Sequence, residues 1–144
     1  MEWSDFRDTA ERLGQGATEG DWRSAISRAY YAVFHFFRQF LQSNGLDIGR
    51  GGQSHFNLYS GLLNCGFPQV AAIASRIDGL RAHRVWADYD LDRPVSRRAA
   101  RTTVRESRAL ITDFHKVLVT LPSAQITDGA RKHLQSIGRI GPRP

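Results

Sequence analysis

The sequence predicts an all-α fold: an up-down bundle of four long helices, with a short N-terminal helix and a basic C-terminal tail. Three observations carry that expectation. Apolar residues recur at spacings of three and four along most of the 144 residues. No stretch alternates apolar and polar positions as a half-buried strand would. Glycine, proline or a capping side chain stands at the ends of each periodic stretch.

Trp3, Phe6, Ala10 and Leu13 form one face of the first helix, with Ser4 as its expected cap and Gly14 and Gly16 at its end. The strongest pattern runs over 21–43. There Trp22, Ile26, Ala29, Tyr30, Val33, Phe34, Phe37, Phe40 and Leu41 make one stripe, and Asn44-Gly45 supplies a left-handed stop. Residues 45–53 hold four glycines and no period, the composition of a mobile loop. Ser54 is the expected cap of a third helix over 54–64, with Phe56, Tyr59, Leu62 and Leu63 inward. Pro68 suits the first turn of a fourth helix over 68–87, whose inward beat is Val70, Ile73, Ala74, Ile77 and Leu80, continuing through Arg81, Arg84 and Val85. Ser96 caps a fifth, with the seam Ala100, Thr103, Val104, Ser107, Leu110, Ile111, Phe114 and Leu118, and Pro122 lies just past its end. The bundle is assigned to 1–121 and the tail to 122–144. The tail carries Arg131-Lys132-His133, ends Gly-Pro-Arg-Pro, and reads as a short helix over 127–137 or as a flexible basic arm.

Composition excludes several classes. The 41% hydrophobic and 24% charged content is that of an ordinary globule, neither collagen-like nor wholly disordered. One cysteine, Cys65, rules out a disulfide scaffold and thiolate zinc clusters, and with five scattered histidines no metal site or cofactor is expected. No apolar run is long enough to span a bilayer and the first residues do not read as a signal peptide, so a cytoplasmic protein with no membrane partner is expected. The net charge is +6, and 18 of the 20 basic residues are Arg, whose planar fork suits phosphate. Gly49-Arg50-Gly51-Gly52 lacks the Lys-Ser/Thr of a nucleotide-cradling loop, and no nucleophile elbow is present.

Three clusters bear chemistry. On the second helix Arg28, Tyr31, His35, Arg38 and Gln42 form a polar stripe, with Arg28 and His35 on one face about 10 Å apart along the axis. A proton-shuttling His beside a phosphate-steadying Arg suits RNA cleavage; the plainer reading is a His at the edge of the aromatic core and an Arg paired with an acid. At the end of the fourth helix, Arg81 and Arg84 are one turn apart and His83, Asp88 and Tyr89 crowd beside them. These form either a phosphate site or an Arg-Asp clasp with Tyr89 plugging the bundle. On the fifth helix Arg97, Arg101, Arg105 and Arg108 share a face. Like charges at these spacings repel by a few tenths of a kcal/mol per pair, which a polyanion would relieve; the alternative is a solvated face.

Ser27-Arg28-Ala-Tyr30-Tyr31-Ala-Val-Phe34-His35, then Ser54-His55, then Leu80-Arg81-Ala-His83-Arg84-Val-Trp-Ala-Asp88-Tyr89-Asp90, resemble HEPN domains over roughly residues 3–121. The Ser-Arg-Ala-Tyr-Tyr-Ala-x-Phe-His and Arg-x-x-Ala-Asp-Tyr stretches carry most of the likeness. The resemblance implies a helical bundle that dimerises, RNA as target, and pairing with a minimal nucleotidyltransferase antitoxin. Active members are metal-independent ribonucleases: an Arg stabilises the crowded phosphate while a His, separated from it by four to six intervening residues, moves a proton. Here no His follows Arg84 at that spacing. Arg28 and His35 have the spacing but stand on the second helix. The implied candidates are therefore Arg81 and Arg84 for phosphate, with Tyr89, Asp88, His83 or His35 for the proton. The competing expectation is a non-catalytic module that dimerises and binds a nucleotide or a protein.

Overall fold

A computed structural model describes residues 1–141; Pro142-Arg-Pro144, the end of the basic tail, lies outside the described residues. The protein is all-α, a helical bundle with six helices among the described residues, in chain order: α1 (Trp3–Gly14), α2 (Glu19–Ser43), α3 (Gly52–Leu63), α4 (Pro68–Tyr89), α5 (Arg97–Thr120) and α6 (Ser123–Ser136). No strand occurs among the described residues, and none of these helices is long and apolar enough to cross a membrane.

Local chemistry sets the helix ends, and several lie outside the periodic stretches. Glu2, not Ser4, precedes α1, with the Asp5 carboxylate accepting the Glu2 N–H at 2.6 Å. Two residues earlier than the apolar pattern suggests, α2 begins in a reciprocal box: the Asp21 N–H donates to Thr18 Oγ1 at 3.2 Å and the Thr18 N–H to the Asp21 carboxylate at 3.3 Å. Its far end closes as expected. Gly45 has φ +85, its N–H reaches the Gln42 carbonyl, and the Leu46 N–H reaches Leu41. Ser54 is not a cap: α3 starts at Gly52, and the Ser54 hydroxyl donates back to the Gly51 carbonyl at 2.6 Å. Ser96 does cap α5, its hydroxyl accepting the Ala99 N–H at 3.0 Å.

The chain divides into two compact units that share the three longest helices. The first comprises Met1–Phe36 and Ile77–Thr112. Its core gathers Ala10, Ala25, Ile26, Ala29, Ala87, Val95, Ala100 and Val104, with Leu13, Trp22 and Trp86 packed around them. Small residues at so many of these positions let α1, α2, α4 and α5 approach closely. Arg23 ties this unit together: its guanidinium donates to the carbonyls of Trp86, Ala87, Asp90 and Arg93 at 2.6–3.3 Å and pairs with Glu19 at 2.9 Å.

The second unit comprises Phe37–Arg76 and the described residues from Asp113 onward. Phe37 and Phe40 meet Phe114 edge-on at 4.7 and 5.0 Å. The tail segment is a helix, α6, which starts four residues before the expected 127 and buries Ile126, Ala130 and Leu134. It packs on α3, where Gly61 leaves room for Leu134 and Ala130. The 45–53 loop is pinned by Leu46 and Ile48, both buried, and is not the free loop its glycines suggest. Phe56, expected inward, is 43% exposed, and Val85 also faces out, because α3 and α4 turn Leu58, Leu62 and Ala87 to the interior.

Two outcomes follow. A Cβ on Gly129 would run into the Cys65 backbone carbonyl, so Gly129→Ala should lower unfolding stability by about 1–3 kcal/mol in urea, through overpacking. No change would mean that α6 is not held against that carbonyl. Glu19 accepts the Val95 N–H at 3.0 Å and pairs with Arg23, which hold its carboxyl below the ordinary 4.5. A depressed carboxylate adds stability above its unfolded pKa, and that stability is lost as pH falls through the folded value. Wild type should therefore exceed Glu19→Gln in thermal stability at neutral pH, with the difference shrinking on acidification below 4.5.

Candidate functional site

Gln42 at the far end of the α2 stripe is exposed, while most of the stripe is half-buried. Phe6 of α1 lies over it, stacked on the His35 ring at 4.9 Å, while the Arg28 guanidinium sits over Phe6 at 5.4 Å and over Tyr31 at 5.3 Å. Tyr31 in turn stacks near His35 at 6.1 Å. A stripe that looks polar on one helix is therefore half-buried under an aromatic residue from another.

Arg84 enters the same cluster from α4. Its guanidinium lies over the rings of Tyr30, Tyr31 and Tyr89 at 5.6, 5.6 and 5.9 Å, and one N–H donates to Tyr31 Oη at 3.4 Å. Asp88, one turn on, is 3.6 Å from it and accepts the Ser27 hydroxyl at 3.1 Å. Only 14% of the Arg84 side chain is exposed, and its Nε is buried without a hydrogen-bond partner. Tyr31 is thus flanked by two guanidinium groups. Burial holds the Tyr30 phenol well above its ordinary range, against the pull of Arg84, so it stays a neutral wall of the cage.

The other candidates on α4 separate from this cluster. Arg81 is 43% exposed and pairs with Asp78 at 2.9 Å, an ordinary surface ion pair. His83 turns toward α5, 3.4 Å from Thr103 Oγ1 and edge-on to Trp86 at 6.2 Å. Tyr89 does not plug the bundle: it is 72% exposed, lying over Arg84 from outside.

The arginines of α5 are partly engaged. Arg97 donates to the Gly16 carbonyl at 3.3 Å and lies over Trp22, Arg101 donates to Gln15 at 3.0 Å, and Arg108 pairs with Glu11 at 2.6 Å. Arg98 and Arg105 carry no ion pair among the described residues. A shallow groove of about 520 Å³ is lined by Arg97, Arg98, Arg101, Thr102 and Arg105. A second, of about 420 Å³, continues past Arg105 to Arg108 and Glu11.

The HEPN domain profile matches residues 4–117. The chain belongs to the HEPN domain family. No curated protein and no solved structure matches it. Within the HEPN region lie both the tyrosine-caged arginine and the arginine row of α5. The sequence places Tyr31 on the polar stripe of this HEPN chain's α2 but does not reveal its contact with Arg84, the Ser27–Asp88 hydrogen bond or the part played by Phe6. Phe6 read as plain core, and only the contact of α1 with α2 reveals its place over His35.

The geometry separates the two α4 arginines by experiment. Arg84→Gln should cost about 1–3 kcal/mol in urea unfolding, since it strips the cage and leaves Asp88 without its cation. Arg81→Gln should change stability by less than about 0.5 kcal/mol. Equal effects would show that the cage does not hold Arg84.

Proposed function

We propose that this HEPN protein is RNA-directed, holding the phosphate backbone along α5 and cleaving it without metal at the Arg84–Tyr31–Arg28–His35 cluster. One observation carries the reading. The first turn of α5 contains Arg97 and Arg98, no acidic residue, and Arg101 one turn on. A helix start is the positive end of its dipole, where acidic side chains are favoured and cations are not. The row continues to Arg105 along a groove with no carboxylate in its wall. Charge placed against the dipole and against itself is stabilised by a polyanion.

For cleavage, the ribose 2′-oxygen attacks the adjacent phosphorus and its proton leaves to His35. The phosphorus–O5′ bond breaks, the proton held by His35 passes to that oxygen, and a 2′,3′-cyclic phosphate and a 5′-hydroxyl remain. Arg28 and Arg84 neutralise the extra negative charge on the crowded phosphorus. Arg28 has no carboxylate partner among the described residues, so its fork is open to phosphate. On this reading the cluster works beside a second copy of the chain, for which exposed Val85, Tyr89 and Leu91 at the end of α4 supply an apolar face. A minimal nucleotidyltransferase serves as antitoxin to the ribonuclease toxin, and the setting is the cytoplasm.

The near-closed cage around Arg84 favours a second reading, a non-catalytic module that dimerises and binds a nucleotide or protein. Total RNA incubated with pure protein in EDTA separates the two. Fragments ending in cyclic phosphate, lost in Arg84→Ala and His35→Ala, support the nuclease; intact RNA at high protein concentration leaves the module. RNA affinity should fall steeply with salt, and Arg98→Gln with Arg105→Gln should flatten the slope by roughly one to two units. An unchanged slope in that double variant would take RNA off α5.

A further inference from the structure

The second unit holds a feature that neither the tyrosine cage nor the α5 row involves. The loop before α3 and the chain after α6 enclose a cleft of about 210 Å³, whose walls include Asp47, Ile48, Arg50, Gln53, Asn57 and Arg139. Two arginines from distant parts of the sequence meet there. Neither has an ion pair among the described residues. The Arg139 guanidinium carbon lies over the exposed Phe56 ring at 4.3 Å, a contact with the ring face that does not use its N–H groups.

The acceptors of the cleft are equally particular. Asn57 is 4% exposed; its Nδ2 donates to the Ile48 carbonyl at 3.0 Å, which fixes the amide orientation, and its Oδ1 is buried with no donor. Buried amide oxygens are almost always hydrogen-bonded, so an orphan one beside a cleft points to a donor supplied from outside. Asp47 uses Oδ1 to accept the Gly49 N–H at 2.8 Å, which leaves its other carboxylate oxygen for a further donor. A carboxylate and an amide oxygen beside two unpaired guanidinium groups match a molecule with an oxyanion at one end and hydroxyl groups at the other. The volume is below that of a drug-sized pocket and fits a few carbons with one phosphate.

We propose that this cleft binds a sugar phosphate, its phosphate held between Arg50 and Arg139 and its hydroxyls donated to Asn57 Oδ1 and Asp47. The ligand's source is either a free sugar phosphate or the 5′-phosphorylated terminal nucleotide of an RNA. Both present a 5′-phosphate and a 2′-hydroxyl; the free sugar adds the 3′- and anomeric hydroxyls, which the RNA end has in ester and glycosidic linkage. The site stands on residues of the second unit alone, so it does not depend on the cleavage reading.

Calorimetric titration of the full chain with ribose 5-phosphate tests it, with ribose and inorganic phosphate as the two halves of the ligand. Ribose 5-phosphate should bind at least about tenfold more tightly than either half, and the Arg50→Gln/Arg139→Gln double variant should lose at least that factor. Both side chains are on the surface, and an unchanged far-ultraviolet dichroism spectrum confirms that the variant is folded. The Arg98→Gln/Arg105→Gln variant should bind ribose 5-phosphate as wild type does. A 5′-phosphorylated trinucleotide assigns the source: tighter binding than ribose 5-phosphate names the RNA end, weaker binding the free sugar phosphate. No saturable heat up to about 10 mM overturns the proposal. So does equal affinity for inorganic phosphate alone, or loss of binding in the α5 variant in place of the cleft variant.

Discussion

One guanidinium group organises the first unit. Helix α4 ends at Tyr89, and the last carbonyls of any helix lack an intrahelical donor. Arg23 of α2 supplies donors to Trp86, Ala87 and Asp90 at that end and to Arg93 in the link beyond. A cation at a helix C-terminus also meets the negative end of the dipole. Glu19 extends the clasp by pairing with Arg23 and accepting the Val95 N–H where the chain turns into α5. The end of α4 is therefore fixed against the start of α2, and Ser27, Arg28 and Tyr31 come next along that same helix. Were Arg23 lost, the carbonyls would turn to water and Arg84, Asp88 and Tyr89 would lose their fixed relation to Tyr31.

On that frame the protein brings two like charges to one ring. Arg28 and Arg84 both lie within 5.6 Å of Tyr31, an arrangement that costs repulsion unless the aromatic face and the Tyr31 hydroxyl offset it. Asp88 is 3.6 Å from Arg84 and shared with Ser27, while Arg28 has no carboxylate partner among the described residues. The α5 row repeats the same imbalance at the surface.

Much of this was legible in the sequence, and the remainder has identifiable reasons for staying hidden. Helical periodicity placed all the long helices, and the Ser96 and Asn44-Gly45 signals marked ends that the backbone uses. Thr18-Glu-Gly-Asp21 was readable as a reciprocal cap, but the apolar pattern starts later at Trp22 and drew the boundary with it. The pairing of Arg84 with Asp88 follows from a spacing of four. Its contact with Tyr31, 53 residues away, does not follow from any spacing. Single-helix reasoning put Arg28 and His35 on a polar stripe and allowed His35 a place at the edge of the aromatic core; that Phe6 covers both shows only once α1 packs on α2. Arg23 escaped notice because its partners are backbone carbonyls, which no side-chain pattern reveals.

The division of the chain also fixes what light can report. Trp3, Trp22 and Trp86 all fall in the first unit, and the second contains none. Indole emission is then a local gauge: it registers loosening around the Arg23 clasp and is blind to the fraying of α3 from α6. Backbone dichroism sees both. A gap between those two melting curves would measure how far the halves of the shared helices come apart independently, without any label added to the chain.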